Sequence, residues 1–547
     1  MNSLKPMLLT SLKSYDRTQF VKDVTAGIIV AIIALPLSIA LALASGVGPE
    51  AGIFTAIVAG FVISALGGSS VQIAGPTAAF ATIVAGIVAK AGLDGLVIST
   101  ILAGIFLILM GLCHFGSLIK FIPYTITTGF TSGIAVTIVI GQLKDFFRVT
   151  YPDGVKPIET TEKFKAFIEN ISTMNTAALI VGIVSLAILI ISPVIFKKIP
   201  GSLIAVIVGI LMVKFLPLKV STIGNLYTIS NSLPAFHLPA VNLHIIENAL
   251  PNAFTIAVLA AIESLLSCVV ADGMINGKHR SDMELVAQGA GNIASALFGG
   301  IPATGAIART AANIKNGGRT PVAGMVHSIT LVIVLVVLMP FAGMIPMPTI
   351  AAILFIVAYN MCQWRTFVHL IRTAPKSDII VLFATFILTI LFDLVVAIEI
   401  GMVLACLLFI KRMSEETHID GWTYVDDDTP DVDAHLKKLP LQIRVYEITG
   451  PLFFGAADAI EHIVVKDFTT CLVLRMRSVP AIDSTAMNAL FNLTKVCENK
   501  GITLVFSHVN EQPMKVMEKA GFVELVGREN FCPNISAALA HAEEISI

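Results

Sequence analysis

Two short stretches of this sequence have the make-up of a place where backbone N–H groups could hold an anion. The first reads Gln72-Ile73-Ala74-Gly75-Pro76-Thr77-Ala78-Ala79, and the second reads Gly299-Gly300-Ile301-Pro302-Ala303-Thr304-Gly305-Ala306. Each is a Gly/Pro interruption followed by small and hydroxyl residues, then by a brief apolar run. Proline is favoured in a first helical turn, where its missing N–H costs nothing. Small residues let a ligand come close to the backbone. A helix that opens at such a point presents unpaired N–H groups and the positive end of its dipole, which suits negative charge. Short, Gly/Pro-broken apolar segments at matching places in two halves of a chain point to a transport site between inverted repeats.

Two ionisable residues frame these stretches. Arg309 follows Pro302 by seven positions, about two helical turns. Its guanidinium stays charged and would add to the attraction for an anion; the plainer use is a clamp on neighbouring carbonyls. Glu263 stands midway along an apolar run, in Ala260-Ala261-Ile262-Glu263-Ser264-Leu265. A carboxyl inside a membrane span needs a reason to be there. Either it binds and releases a coupling proton, or a neighbour such as Arg309 satisfies it. Glu399 and His327 also fall in apolar runs, where nothing frames them as a site. Pro36, inside the first run, frees a carbonyl and kinks its helix, forming a wall for substrate.

The surroundings of these residues are apolar. Of 547 residues 56% are hydrophobic and 13% charged, against about 25% charged in an average soluble domain. Lipid accommodates such a surface and water does not. The net charge of −1 gives no global basic field, so nucleic acid is not an expected partner. Seven cysteines are scattered without paired or metal-ligand spacing, against a disulfide framework or a metal site. Apolar runs lie near 24–44, 51–66, 96–113, 123–142, 176–192, 201–216, 251–271, 286–300, 322–340, 348–360, 378–393 and 394–410. With 77–89 and 303–313 as half-spans, fourteen segments result. Lys and Arg then concentrate on one side, which the positive-inside rule makes cytoplasmic together with both termini. Lys5, Lys13, Arg17 and Lys22 precede the first run, which reads as a retained span and not a signal peptide.

Beyond about 411 the character changes. Residues 1–23 form a cytosolic N-terminus, 24–412 a transmembrane transport domain and 413–438 a polar, acidic linker; 439–547 form a small α/β domain. Strands are expected at 441–448, 470–476 and 502–507, with helices at 456–465, 484–498 and 511–520.

Four segments together carry a family resemblance: ALPLSIALALASGVGPEAGIFTA, AGPTAAF, AIESLLSCVVADGM and GGIPATGAIART. They resemble the SulP family of anion transporters, relatives of solute carrier family 26, and the C-terminal part resembles a STAS domain. The resemblance implies two inverted repeats of seven spans, a core moving against a gate, and a homodimer in the cell inner (plasma) membrane. It implies a substrate site formed by Pro76, Thr77, Ala78, Ala79 and Phe80 together with Ala303, Thr304, Gly305, Ala306 and Arg309. It also puts the coupling acid at Glu263; sodium-coupled bicarbonate members tend to have Asp there, so Glu leans toward a proton. The implied cargo is a small inorganic or organic anion: sulfate, bicarbonate, chloride or a dicarboxylate. In the STAS part, Ser484 or Thr485 after Asp483 matches a serine phosphorylated in anti-sigma antagonists. Ala486 departs from the usual Gly, and Asp483 also reads as an ordinary helix cap.

The expected function is therefore secondary anion transport, proton-coupled, by alternating access. A sodium-coupled bicarbonate carrier, an anion channel or exchanger, a membrane receptor and a nucleobase permease are the competing readings; Arg309 fits an anion better than a neutral base. No Walker motif, paired metal ligands or nucleophile–base spacing is present, so neither enzyme chemistry nor a cofactor is expected.

Overall fold

We describe a computed structural model covering residues 4–117, 122–152, 154–155, 157–195, 200–216, 219–239, 243–392, 394–421, 440, 442–456, 460, 463 and 468–546. The chain divides into two units, Met1–Met402 and Val403–Ile547.

Proline sets six helix starts in the first unit. After α1 (Arg17–Ala44), which Asp16 caps by accepting from Gln19 N at 2.8 Å, α2 (Pro49–Leu66) begins on Pro49 itself. Prolines 123, 200, 321, 346 and 375 then cap α4 (Tyr124–Phe147), α7 (Gly201–Phe215), α11 (Val322–Ala342), α12 (Met347–Cys362) and α14 (Lys376–Leu391). A proline just before or inside the first turn is preorganised for that place and cannot extend a helix backwards. The other long helices are α3 (Ala78–Leu112), α5 (Thr160–Asn170), α6 (Thr176–Ile195), α8 (Leu243–Ile275), α9 (Ser281–Leu297), α10 (Ile307–Lys315), α13 (Trp364–Thr373) and α15 (Leu394–Glu415), which begins in the first unit; Leu8–Ser11 and Ile223–Leu226 form single turns. Two short strands, β1 (Ala74–Gly75) and β2 (Thr304–Gly305), precede α3 and α10.

Among the described residues eight helices are long and apolar enough to cross a membrane, and α7 is a shorter apolar one. The segment pattern follows the expected one closely. The half-span expected at 77–89 and the span at 96–113 form one helix, α3, broken at Gly92, whose φ of +70° only glycine adopts without strain. Helix α5 forms in the stretch between the runs expected at 123–142 and 176–192, where Glu159 and Glu162 make a reciprocal capping box.

Two groups of helices follow from the packing. Helices α1, α2, α3, α8, α9, α10 and α11 pack on one another, as do α4, α6, α7, α12 and α14, and α1 touches both groups. Small residues allow the close approaches: a Cβ at Gly104 or Gly289 would lie within 2.6 Å of the other's carbonyl, where α3 crosses α9.

The second unit holds a five-stranded sheet in the order β3 (His418–Gly421), β4 (Ile443–Thr449), β5 (Cys471–Ser478), β6 (Thr503–Ser507) and β7 (Phe531–Cys532). All neighbours are parallel except β3–β4. Residues 472, 474 and 476 of β5 face a core shared with α16 (Ser484–Asn499), while 471 and 473 face α18 (Ile535–Ser546). Covering both faces is why the central strands read as continuous apolar runs. Helix α17 (Glu511–Lys519) also lies where expected. Strand β3 corrects the linker expected from 413, and the helix expected at 456–465 falls mostly outside the described residues.

Candidate anion site

The two Gly/Pro stretches cross. Strands β1 and β2 pair antiparallel, Ala74 opposite Gly305 and Gly75 opposite Thr304, and Ala306 N donates to the Ile73 carbonyl at 3.0 Å. Helices α3 and α10 therefore start from a shared point. Neither N-cap residue, Thr77 nor Ala306, closes its helix with a side chain, so the opening turns keep N–H groups for a ligand.

The backbone of the second stretch is held firmly. Ala303 N donates to Asn292 Oδ1 at 2.8 Å, and Asn292 Nδ2 returns a bond to the Ala303 carbonyl at 2.9 Å. Gly305 N donates to Ser264 Oγ at 3.1 Å, and that hydroxyl lies 2.6 Å from Thr304 Oγ1. The N–H groups of Ala303, Gly305 and Ala306 thus already have protein partners, and the free donors belong to the first turn of α10. Ala78, Ala79 and Phe80 open α3 as buried residues.

Thr77 turns its hydroxyl away from its own helix and donates to Glu263 Oε2 at 2.9 Å. Glu263 is partly exposed and lies on α8 beside the crossing. Arg309, in the first turn of α10, is 1% exposed. Its Nη2 donates to Ser38 Oγ and to the Pro76 carbonyl, both at 3.2 Å, while Nε and Nη1 find no partner among the described residues. A Cβ at position 75 would lie 2.0 Å from Nη1, so only glycine admits the guanidinium under β1. Among the described residues no ion pair joins Arg309 to Glu263; each has separate partners. His327 is fully buried with both ring nitrogens unpartnered.

A cavity of about 490 Å³ lies between the two helix groups and reaches Ala79 in the first turn of α3; Thr77, Glu263 and Arg309 are not part of its lining. One wall is a single face of α3: Ala79, Thr82, Ile83, Gly86, Ile87 and Lys90 recur at helical spacing. Thr137 of α4, Asn252 of α8 and Thr389 of α14 add polar atoms on the other sides.

Several contributors were not singled out from sequence. Ser38, Ser264 and Asn292 bond site residues directly. Glu284, Gln288 and Asn292 recur every four residues along α9, so a buried polar stripe on an otherwise apolar helix was the available signal.

Known proteins resemble this chain over most of its length. The profile described as the sulfate permease family matches residues 20–385, and that of the STAS domain matches residues 437–538. The putative sulfate transporter YvdB of Bacillus subtilis is 39% identical across 95% of this chain and 97% of its own. The bicarbonate transporter BicA of Picosynechococcus is 31% identical across 95% of this chain and 94% of its own. Among solved structures, the transmembrane domain of a cyanobacterium bicarbonate transporter BicA matches with TM-score 0.62 and 28% identity, over 72% of this chain and 98% of that one. Murine solute carrier 26 family member A9, in the inward-facing state, shares the fold at TM-score 0.87 and 19% identity, over 99% of this chain and 94% of that one. The chain belongs to the sulfate permease family of membrane transporters and carries a STAS domain in its C-terminal part.

Proposed function

We propose that this chain is a secondary carrier of small oxyanions, of the sulfate or bicarbonate class, working by alternating access and driven by a proton that travels with the anion. The observation that carries the reading is the crossing itself: two helix ends without side-chain caps, with one carboxylate bonded to the cap residue of α3. The anion binds against the first turns of α3 and α10, at Pro76 to Phe80 and at the N–H groups from Ile307 to Arg309, with Ala303 to Ala306 as the wall beside it and the Arg309 charge beneath.

Coupling follows from the Thr77–Glu263 bond. An ionised Glu263 repels the anion and occupies the Thr77 hydroxyl as an acceptor. Proton uptake removes the negative charge and releases that hydroxyl to donate to the anion. Proton and anion then favour each other's binding by the same factor, as linkage requires. Both termini lie in the cytosol and two chains form a dimer in the cell inner membrane.

The test is labelled sulfate uptake into proteoliposomes at neutral pH and with an acidic exterior, with unlabelled bicarbonate and fumarate as competitors. Acid-stimulated, competed uptake is the expected result. The 31% identity to BicA favours a second reading, sodium-coupled bicarbonate transport. Sodium-dependent bicarbonate uptake with no response to pH would establish that reading in place of the first.

A further inference from the structure

A second acid, Glu284, is fully buried in the first turn of α9. Its Oε2 accepts from the backbone N–H of Gly68 at 2.9 Å and of Ser69 at 3.1 Å. Its Oε1 accepts from Gln72 Nε2 and from Gln288 Nε2, both at 2.9 Å. All four partners donate. A neutral carboxyl would aim its own O–H at an N–H, so the group acts purely as an acceptor. Glu263, with Thr77 as its donor and partial exposure, is in the opposite situation.

The segment Glu284 grips leads straight into the crossing. Gln72 accepts from Cys268 Sγ of α8 at 2.7 Å through its other amide atom. It also lies so close to β2 that a Cβ at Gly305 would sit 1.9 Å from Nε2. Farther along, Asn313 Nδ2 donates to the Val71 carbonyl at 2.8 Å and Ile73 N donates to Thr310 Oγ1 at 3.1 Å. Glu284 thus ties α9, α8 and the approach to β1 into one body before the chain reaches Pro76.

We infer that Glu284 is a positioning residue for the anion site: a four-way hydrogen-bond acceptor that fixes residues 67–73 and carries no transported proton. The inference rests on the reading that the anion binds at the crossing. Its mark is a change in substrate affinity with an unchanged pH profile.

The experiment uses the full chain, with hydrogen–deuterium exchange in detergent and sulfate uptake in proteoliposomes. Glu284→Ala leaves four buried donors unpaired, so residues 67–76 are expected to exchange about tenfold faster, and KM to rise about tenfold, with the maximal rate within about twofold. Glu284→Gln keeps an oxygen for the two backbone donors but turns an NH2 on the Gln72 and Gln288 amides, so it is expected to recover only part of both effects while following the wild-type pH profile. Gln288→Leu, removing one donor, is expected to shift both readouts the same way by about threefold, and it serves if the alanine variant does not fold. Unchanged exchange, an unchanged KM in folded protein, or a flattened pH profile in Glu284→Gln would overturn the assignment. Exchange is read without substrate, so a wild-type chain that moves no anion would count against the transport reading while the result on Glu284 stands.

Discussion

Glu263 and Arg309 differ in what surrounds them. Glu263 has a hydroxyl donor and partial exposure, so its charge can change during a cycle. Glu263→Gln mimics the protonated form, and its uptake is expected to lose pH dependence while sulfate binding stays within about twofold of wild type. A wild-type pH profile in that variant would remove Glu263 from the coupling step. Arg309 spans Ser38 and the Pro76 carbonyl from a dry position, and a lysine keeps the charge without the planar fork. For Arg309→Lys we expect KM for sulfate to rise about tenfold in protein of unchanged yield, the loss of one charge-assisted bond; an unchanged KM would show that charge alone suffices. Both residues were legible in the sequence as lone charges in apolar runs. Their partners were not, because spacing along one helix says nothing about which other helices cross it. Pairing of Glu263 with Arg309 was an open alternative; the structure gives one to Thr77 and the other to Pro76 and Ser38.

At the scale of elements, the sequence signal was strongest where burial dominates: apolar residues mark β4, β5 and β6, which lie within two residues of their expected bounds. The half-span expected at 303–313 starts later, at Ile307, because Thr304 and Gly305 are drawn into β2 and Pro302 falls outside the first turn. Strand β3 was missed because His418-Ile419-Asp420-Gly421 is mostly exposed and an edge strand needs no apolar pattern. The break at Gly92 was missed because a lone glycine in an apolar run is ordinary. Burial in this sheet has a chemical readout. Desolvation pushes the Cys471 thiol up to about 12, aided by Cys497 and Cys532, and pushes Cys497 up to about 11. Thiolate is the reactive form, so at pH 8 iodoacetamide is expected to spare both cysteines in folded protein and label them after denaturation. Prompt labelling of Cys471 under native conditions would contradict the packing of β5.

In the membrane unit as a whole, two helix groups flank a cavity with polar groups in its lining. If the groups move against each other, tying them together across the cavity must stop transport. Ile83→Cys with Thr389→Cys, in a background lacking Cys113 and Cys406, places one thiol on α3 and one on α14 along the same cavity. A short bis-maleimide is expected to lower sulfate uptake at least about tenfold while each single variant stays active. Full activity in the doubly linked protein would sink the rocking movement. The two-body organisation could be anticipated only as a family property, because the packing that sorts helices into groups is carried by small residues such as Gly104 and Gly289, which sequence alone shows merely as frequent.

The pairing of Ala74 with Gly305 and Gly75 with Thr304 has a thermodynamic corollary. The two halves meet head-on at this point, and in the proposed carrier each offers the substrate its own uncapped helix end. A device of this kind has no ratchet: every microscopic step can run backwards, and a cell whose gradients collapse would see the same protein leak its cargo outward. Net direction is then a property of the surrounding electrochemical potentials, while the protein supplies the kinetic route.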